Sequence, residues 1–393
     1  IISIVGPRRS GKTFFLYFLI KKLNLTNEKF LFVNFEEITN NLEILPIFHK
    51  EIYGELPEYL FFDEIQSLKY WEKSLYRLYE TKKYYIFITG SSSKLLSKEI
   101  ATQLRGRSIP VYIYPLSFKE VLLFRNVEIK EEDFYNIYRI AEIKNLLVKV
   151  LENGSFPDII LDNVKPFIFF REYWDLIVYK DVVERYGIKN RYGLEFFIKS
   201  LFSSFTKKTS MNKVLNSLKS QGVKISKTTL YNFQKILEDT KVFFFLRRYD
   251  KNIKRIEMTI PKIYCVDNGL YTYTERKKEI GKLMENFVFL ELIKKGYEEN
   301  RDIFYIDFQN GEVDFLIREG LNIKQLIQVT YASSKDEIDQ REIKALEKAY
   351  ELFKKDKPEV LIITWDYEDI LKKNNLEIRC VPLWKWLCML SGL

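Results

Sequence analysis

Gly6-Pro7-Arg8-Arg9-Ser10-Gly11-Lys12-Thr13 lies between two apolar runs, Ile1–Val5 and Phe14–Ile20, and has the residue types of a phosphate-binding P-loop. Its glycines let backbone N–H groups turn inward around a β-phosphate. A helix beginning near Lys12 would aim its N-terminal dipole at the same anion. Lys12 would reach the β- and γ-phosphates, and the Thr13 hydroxyl would take a Mg²⁺ coordination site. The candidate nucleotide-binding residues are Gly6, Pro7, Arg8, Arg9, Ser10, Gly11, Lys12, Thr13 and Phe14, and the cofactors they imply are ATP and Mg²⁺. Further on, the apolar run Tyr59-Leu60-Phe61-Phe62 ends in Asp63-Glu64, the Walker B pattern. Asp63 would hold Mg²⁺, and Glu64 would orient or deprotonate the attacking water. Downstream, Arg107 is the first candidate for a guanidinium that stabilises transition-state charge, in cis or across a subunit boundary, with Arg105 in reserve.

These residues need rigid elements behind them, and the N-terminal third supplies alternating strand and helix patterns. Ile1–Val5, Phe30–Phe35, Tyr59–Phe62 and Tyr84–Thr89 are apolar enough to be buried parallel strands. Each motif falls at a strand's carboxyl end, where open α/β sheets bind ligands. Glu36 and Glu37 also follow a strand end and are further candidates there.

The chain has 393 residues, 47% hydrophobic and 30% charged, which bounds it as a globular protein of two or three domains. No apolar run approaches the ~20 residues of a membrane span. Cys265, Cys380 and Cys388 lack metal-ligand spacing, and His49 is the single histidine, so His-based metal sites are excluded in the main. A reduced, cytoplasmic protein is the simple expectation. The net charge of +9 permits an anionic partner without requiring one. The sequence begins within its first strand, so a segment ahead of Ile1 is expected.

Gly-Pro-Arg-Arg-Ser-Gly-Lys-Thr, Phe-Phe-Asp-Glu-Ile-Gln, Ile-Thr-Gly-Ser-Ser-Ser, Arg105-Gly106-Arg107 and Tyr114-Pro115-Leu116-Ser117-Phe118 occur in this order. With Gly154-Ser155-Phe156-Pro157 further on, the chain resembles the archaeal and bacterial AAA+-type ATPases that carry a winged helix and a degenerate nuclease-like domain. The resemblance implies an α/β P-loop NTPase core at 1–116, a helical lid at 117–190, a winged helix at 191–277 and a restriction-endonuclease-like α/β domain at 278–393. It implies that the strand ending in Ser91 and Ser92 lies between the P-loop and Walker B strands. One of those serines would then sense the γ-phosphate or the attacking water; N-capping is an equal account of either.

Residues 191–262 show three amphipathic helices, with Ser226 capping the third. Two strands, 242–248 and 255–258, are expected to follow, with a basic turn between them. Lys227, Thr228, Thr229, Tyr231, Asn232 and Lys235 would then face outward from a recognition helix, with Arg247 and Arg248 beside the wing. From Lys199 to Lys262 there are 15 basic residues against 4 acidic ones, a concentration suited to the backbone of double-stranded DNA. A lid or protein-docking role without DNA is the alternative.

In the last domain the order of elements resembles PD-(D/E)xK nucleases, whose Mg²⁺ site uses a helix Glu, an Asp and a Glu-x-Lys strand. Glu285 and Asp314 match that pattern, but Gln328 and Thr330 stand where the second carboxylate and the lysine belong. Losing that carboxylate weakens a hard-cation site, and losing the lysine removes transition-state charge stabilisation. An inactive nuclease fold is expected; an ATP-dependent nuclease using Glu285, Glu312 and Asp314 is the rival. The oligomeric state stays open, with a homo-oligomer or a protein partner both compatible.

Overall fold

In the computed structural model, residues 1–37, 41–91, 106–373 and 376–389 are described. The chain divides into two compact units, Ile1–Pro115 with Lys235–Val242 and Leu116–Gln234 with Phe243–Leu393.

The first unit is built on a parallel sheet of β1 (Ile2–Gly6), β2 (Phe30–Asn34), β3 (Tyr59–Asp63), β4 (Tyr85–Ser91) and β5 (Ile109–Tyr112). The spatial order is β2-β3-β4-β1-β5, so β4 does lie between the P-loop and Walker B strands. Both faces are covered, which is why β3 is apolar at consecutive positions. Leu60 and Phe62 join Trp71, Leu75 and Leu78 of helix α3 (Trp71–Glu80), while Phe61 joins Ile4 and Leu16 of helix α1 (Lys12–Lys22) on the other face. Helix α2 (Leu45–Tyr53) begins with Leu45 and Pro46 in its first turn.

The second unit begins with helices α4 (Phe118–Phe124), α5 (Ile137–Asn153), α6 (Pro157–Ile160) and α7 (Pro166–Asp175), which passes into a π-helical stretch over Leu176–Glu184. Ser117 and Glu120 form a capping box at α4. The Gly154–Pro157 turn is fixed by a buried carboxylate from far along the chain. Asp267 accepts from the Ser155 amide at 2.7 Å, the Ser155 hydroxyl at 3.2 Å and the Gly269 amide at 2.8 Å. Gly154 has φ 88°, and a Cβ there would lie 1.9 Å from Asp267 Oδ1, so only glycine fits.

Next come α8 (Arg191–Ser203), α9 (Met211–Ser220) and α10 (Lys227–Asp239), followed by β6 (Phe243–Leu246) and β7 (Lys262–Cys265), an antiparallel pair. The strand expected at 255–258 is absent: Ile253–Glu257 is the short helix α11, and the partner of β6 is β7. The Asn252 side chain caps α11 by accepting from the Lys254 amide, and Ile256 packs into the core of the C-terminal sheet. A local cap and a buried anchor override the strand pattern.

After α12 (Asn268–Glu275) and α13 (Ile280–Lys294), strands β8 (Ile303–Phe308), β9 (Gly311–Glu319) and β10 (Asn322–Val329) form an antiparallel meander. Helix α14 (Gln340–Leu352) crosses to β11 (Glu359–Thr364), which runs parallel to β10. β12 (Asp369–Lys373) and β13 (Leu376–Pro382) complete the sheet in the order β12-β13-β11-β10-β9-β8, and α15 (Leu383–Met389) follows. Among the described residues no helix is long and apolar enough to cross a membrane.

Candidate nucleotide-binding site

The loop between β1 and α1 closes tightly on itself. A Cβ at Gly6 would lie 2.0 Å from the Ile113 carbonyl oxygen, so the first glycine is needed for close packing against the chain after β5. Gly11, at φ 96°, turns the backbone into α1. Lys12 is buried and donates to the carbonyls of Pro7 at 2.9 Å and Gly6 at 3.3 Å, which curls its ammonium over the loop. The Ser10 hydroxyl is buried within the loop and has no hydrogen-bond partner among the described residues. Arg8 is half-buried, while Arg9, at φ 58°, and Phe14 are exposed.

β3 brings its carboxylates to this loop. Thr13 Oγ1 donates to Asp63 Oδ2 at 2.9 Å, joining the two motifs through the pair of oxygens expected around Mg²⁺. A hydroxyl that sequence reasoning missed, that of Thr89 in β4, donates to Asp63 Oδ1 and accepts from the Glu64 amide at 3.0 Å. It is completely buried. Glu64 takes the left-handed conformation, φ 49° and ψ 43°, and its carboxylate accepts from the Gln66 side-chain amide, Nε2. The signal that could have found Thr89 is a hydroxyl inside an apolar strand already assigned between the two motif strands.

Ser91 closes β4 in register with Gly6, and Ser92 and Arg105 lie outside the described residues. Glu36 and Glu37 are exposed beyond β2, at the sheet edge, with β3 and β4 between them and β1. Arg107 is not brought to the P-loop of its own chain. It precedes β5, whose Ile109 pairs with Ile2, so it sits at the end of the sheet opposite Gly6. There its guanidinium meets Glu80 at 3.2 Å and covers the rings of Tyr76 and Tyr79 at 4.9 and 5.7 Å.

Lys227, Thr228, Tyr231 and Asn232 of the second unit are exposed on α10, as is Lys235, which falls in the first unit; Thr229 is half-buried, its amide donating to the Ser226 hydroxyl at 3.0 Å. Arg247 and Arg248 are half-buried, and Arg247 spends its guanidinium on the Thr259 carbonyl at 2.8 Å. Glu285 and Asp314 do converge, but on an ammonium that sequence reasoning did not connect with them. Lys262 Nζ lies 2.7 Å from Glu285, 2.9 Å from Asp314 and 3.1 Å from Glu312. Gln328 accepts from the Asp314 amide at 3.2 Å. The Gln328 amide and the Thr330 hydroxyl hydrogen-bond Glu342, whose carboxyl is pushed up to about 7 by burial and by Asp314.

A five-stranded parallel sheet in this order, with these two motifs at its carboxyl edge, defines the class as a P-loop ATPase domain. Residues 1–122 match the AAA domain family, and residues 144–279 and 280–386 match two domain families of unknown function. The chain is 40% identical to MJ1544, an uncharacterized protein of Methanocaldococcus jannaschii, over 98% of its own length and 87% of that protein's. It is 29% identical to an uncharacterized Haemophilus influenzae protein, covering 97% of this chain and 93% of that one. The chain therefore belongs to the family of AAA-domain proteins that includes the Methanocaldococcus protein. Among solved structures it is similar to the Walker-type ATPase PABY2304 of Pyrococcus abyssi, with TM-score 0.41, 15% identity, 70% of this chain and 91% of that one. It is also similar to the Aeropyrum pernix ORC1 protein in complex with DNA, with TM-score 0.30, 12% identity, 73% of this chain and 87% of that one.

Proposed function

We propose that the chain hydrolyses ATP with Mg²⁺ at the β1–α1 loop and couples its nucleotide state to binding of duplex DNA. The observation that carries the first part is the Thr13–Asp63–Thr89–Glu64 chain of hydrogen bonds beside the buried Lys12. The unpartnered Ser10 hydroxyl and the glycine-lined loop fit a polyphosphate, and the Thr13 and Asp63 oxygens fit a hard cation. Bound Mg²⁺ would supply charge neutralisation between the phosphates. In this reading Lys12 and the loop amides hold the phosphates, Asp63 is the acidic partner of Thr13, and Glu64 takes a proton from the attacking water. Arg107, at the far end of the sheet, would serve the site of a second copy.

For DNA, the support is α8–α10 with the β6–β7 pair, a winged-helix order, together with the exposed Lys227, Tyr231 and Lys235. The C-terminal sheet is read as a scaffold: purified protein with Mg²⁺ or Mn²⁺ should leave DNA intact, and cleavage abolished by Asp314→Ala would overturn that.

The test is ATP turnover by the wild type and Glu64→Gln, with and without duplex DNA, at two salt concentrations. Glu64→Gln should retain ATP and lose turnover; unchanged turnover removes Glu64 as the base. Stimulation by DNA that fades with salt supports the coupling. Turnover indifferent to DNA leaves the ATPase and points to a nucleotide-gated protein switch.

A further inference from the structure

The C-terminal sheet holds a carboxylate cluster that the nucleotide chemistry does not use. Glu312 and Asp314 are two apart on β9 and so share a face; Glu285 comes from α13. All three point at one atom, Lys262 Nζ, at 2.7–3.1 Å. Lys262 is 0% exposed, and its three N–H donors match the three carboxylates. Burial alone would push its ammonium down, but Asp314, Glu285 and Glu312 outweigh that and hold it well above the usual lysine range.

The cluster is fastened from every side. Tyr264, two residues along β7, donates to Glu285 at 2.7 Å, and the Val329 amide donates to Asp314 Oδ2 at 3.0 Å. Lys208 pairs its backbone with Lys262 across an isolated bridge and reaches Asp307 at 2.8 Å and Glu312 at 3.4 Å. The carboxylate oxygens stand at hydrogen-bonding distance from nitrogen, whereas a hard metal ion would draw such oxygens to ~2.0–2.6 Å. As the carboxylates stand around the ammonium, no group of three metal-type ligands among the described residues is spaced to hold an ion, so a metal could enter only with the ammonium gone and the oxygens drawn closer.

We propose that this cluster is a cation site whose resident cation is the Lys262 ammonium, and that the pairing clasps β7 onto α13 and β9 while keeping divalent metal out. β7 is the strand that follows α11 and completes the pair with β6, so the clasp anchors that pair to the C-terminal sheet. The proposal deepens the scaffold reading of that sheet. It does not depend on ATP turnover, so failure of the ATPase reading leaves it standing.

The test uses the full chain and two substitutions, Lys262→Ala and Lys262→Ala/Asp314→Asn, followed by thermal unfolding and by Mn²⁺ titration with electron paramagnetic resonance. Wild type should show no Mn²⁺ binding at the cluster and no Mn²⁺-dependent change in Tm. Lys262→Ala should unfold at lower temperature and recover by ~5 °C or more in millimolar Mn²⁺, the gain expected of a ligand well above its Kd. Asp314→Asn added to it should abolish the recovery. If Lys262→Ala is insoluble, recovery of soluble protein when it is expressed and purified with Mn²⁺ is the readout. Mn²⁺ binding by wild type that is lost in Asp314→Asn, wild-type stability in Lys262→Ala, or no recovery with Mn²⁺ would each overturn the proposal.

Discussion

Thr89→Val removes one buried hydroxyl and keeps the shape of the side chain. The oxygen it deletes donates to Asp63 and accepts from the Glu64 amide, and it is fully buried, so water does not replace it. A bond to a carboxylate is worth ~1.5–3 kcal/mol and a neutral one ~0.5–1.5 kcal/mol, so the unit should lose about 2–4 kcal/mol. The share that reaches catalysis is the share that holds Glu64 at φ 49°. A non-glycine residue in that region stores ~1–3 kcal/mol of strain, which the amide–hydroxyl bond helps to restrain. With that bond gone, Glu64 should relax away from the place where, on the proposed reading, it activates the attacking water. At ~1.4 kcal/mol per tenfold, kcat should fall about 10–100-fold. On the proposed reading, in which Lys12 and the loop amides hold the phosphates, affinity for ATP should change little. The assay is steady-state ATP turnover with a separate nucleotide-binding titration and a melting curve, on Thr89→Val and Thr89→Ser. Serine keeps the hydroxyl and should restore most of kcat. A valine variant that melts lower yet turns over within twofold of wild type would refute the argument, leaving Thr89 as a purely structural bond.

Three further outcomes follow from the same geometry. Gly154→Ala places a methyl 1.9 Å from Asp267 and forces φ 88° on an L-residue, so it should cost ~3 kcal/mol or more, read as a fall in denaturant midpoint, while Gly187→Ala, with open space around it, should cost only its backbone strain. Glu342 is held at about 7 in the folded chain against an ordinary 4.5, so the folded state keeps its proton longer; that contribution to stability is full below pH 4.5 and is lost as pH rises to about 7. Its size is at most ~3 kcal/mol, and Glu342→Gln should flatten this part of the Tm-against-pH curve; an unchanged profile would count against it. If Arg107 acts on a second copy, Arg107→Ala and Glu64→Gln should each be slow alone and should recover turnover when mixed, whereas no recovery would count against action in trans.

The candidate nucleotide site was legible because its chemistry is local. Gly6 to Thr13 is one continuous loop, and Asp63 and Glu64 end a strand whose apolar run announces itself. Thr89 was not legible as a partner, since its role depends on β4 lying beside β3 in one register, a property of the assembled sheet. The strand expected at 255–258 failed for a related reason: Asn252 caps a helix there, and Ile256 answers to a core made by residues far along the chain. Lys262 is the sharpest case. In the sequence it is one of 15 basic residues between Lys199 and Lys262 and counts toward a nucleic-acid face. In the fold, it is turned inward against Glu285, Glu312 and Asp314, while Lys208, still exposed, is paired with Asp307 and Glu312. Arg247 is likewise committed to a backbone carbonyl. The regional excess of charge therefore overstates what can meet a phosphate backbone. Any DNA contact must rest on cations that stay exposed, such as Lys227 and Lys235 of α10. Each phosphate contact adds ~0.9 to the slope of log affinity against log salt. A shallow slope would then be consistent with DNA binding by this chain, whereas a slope calling for all 15 cations would contradict the structure.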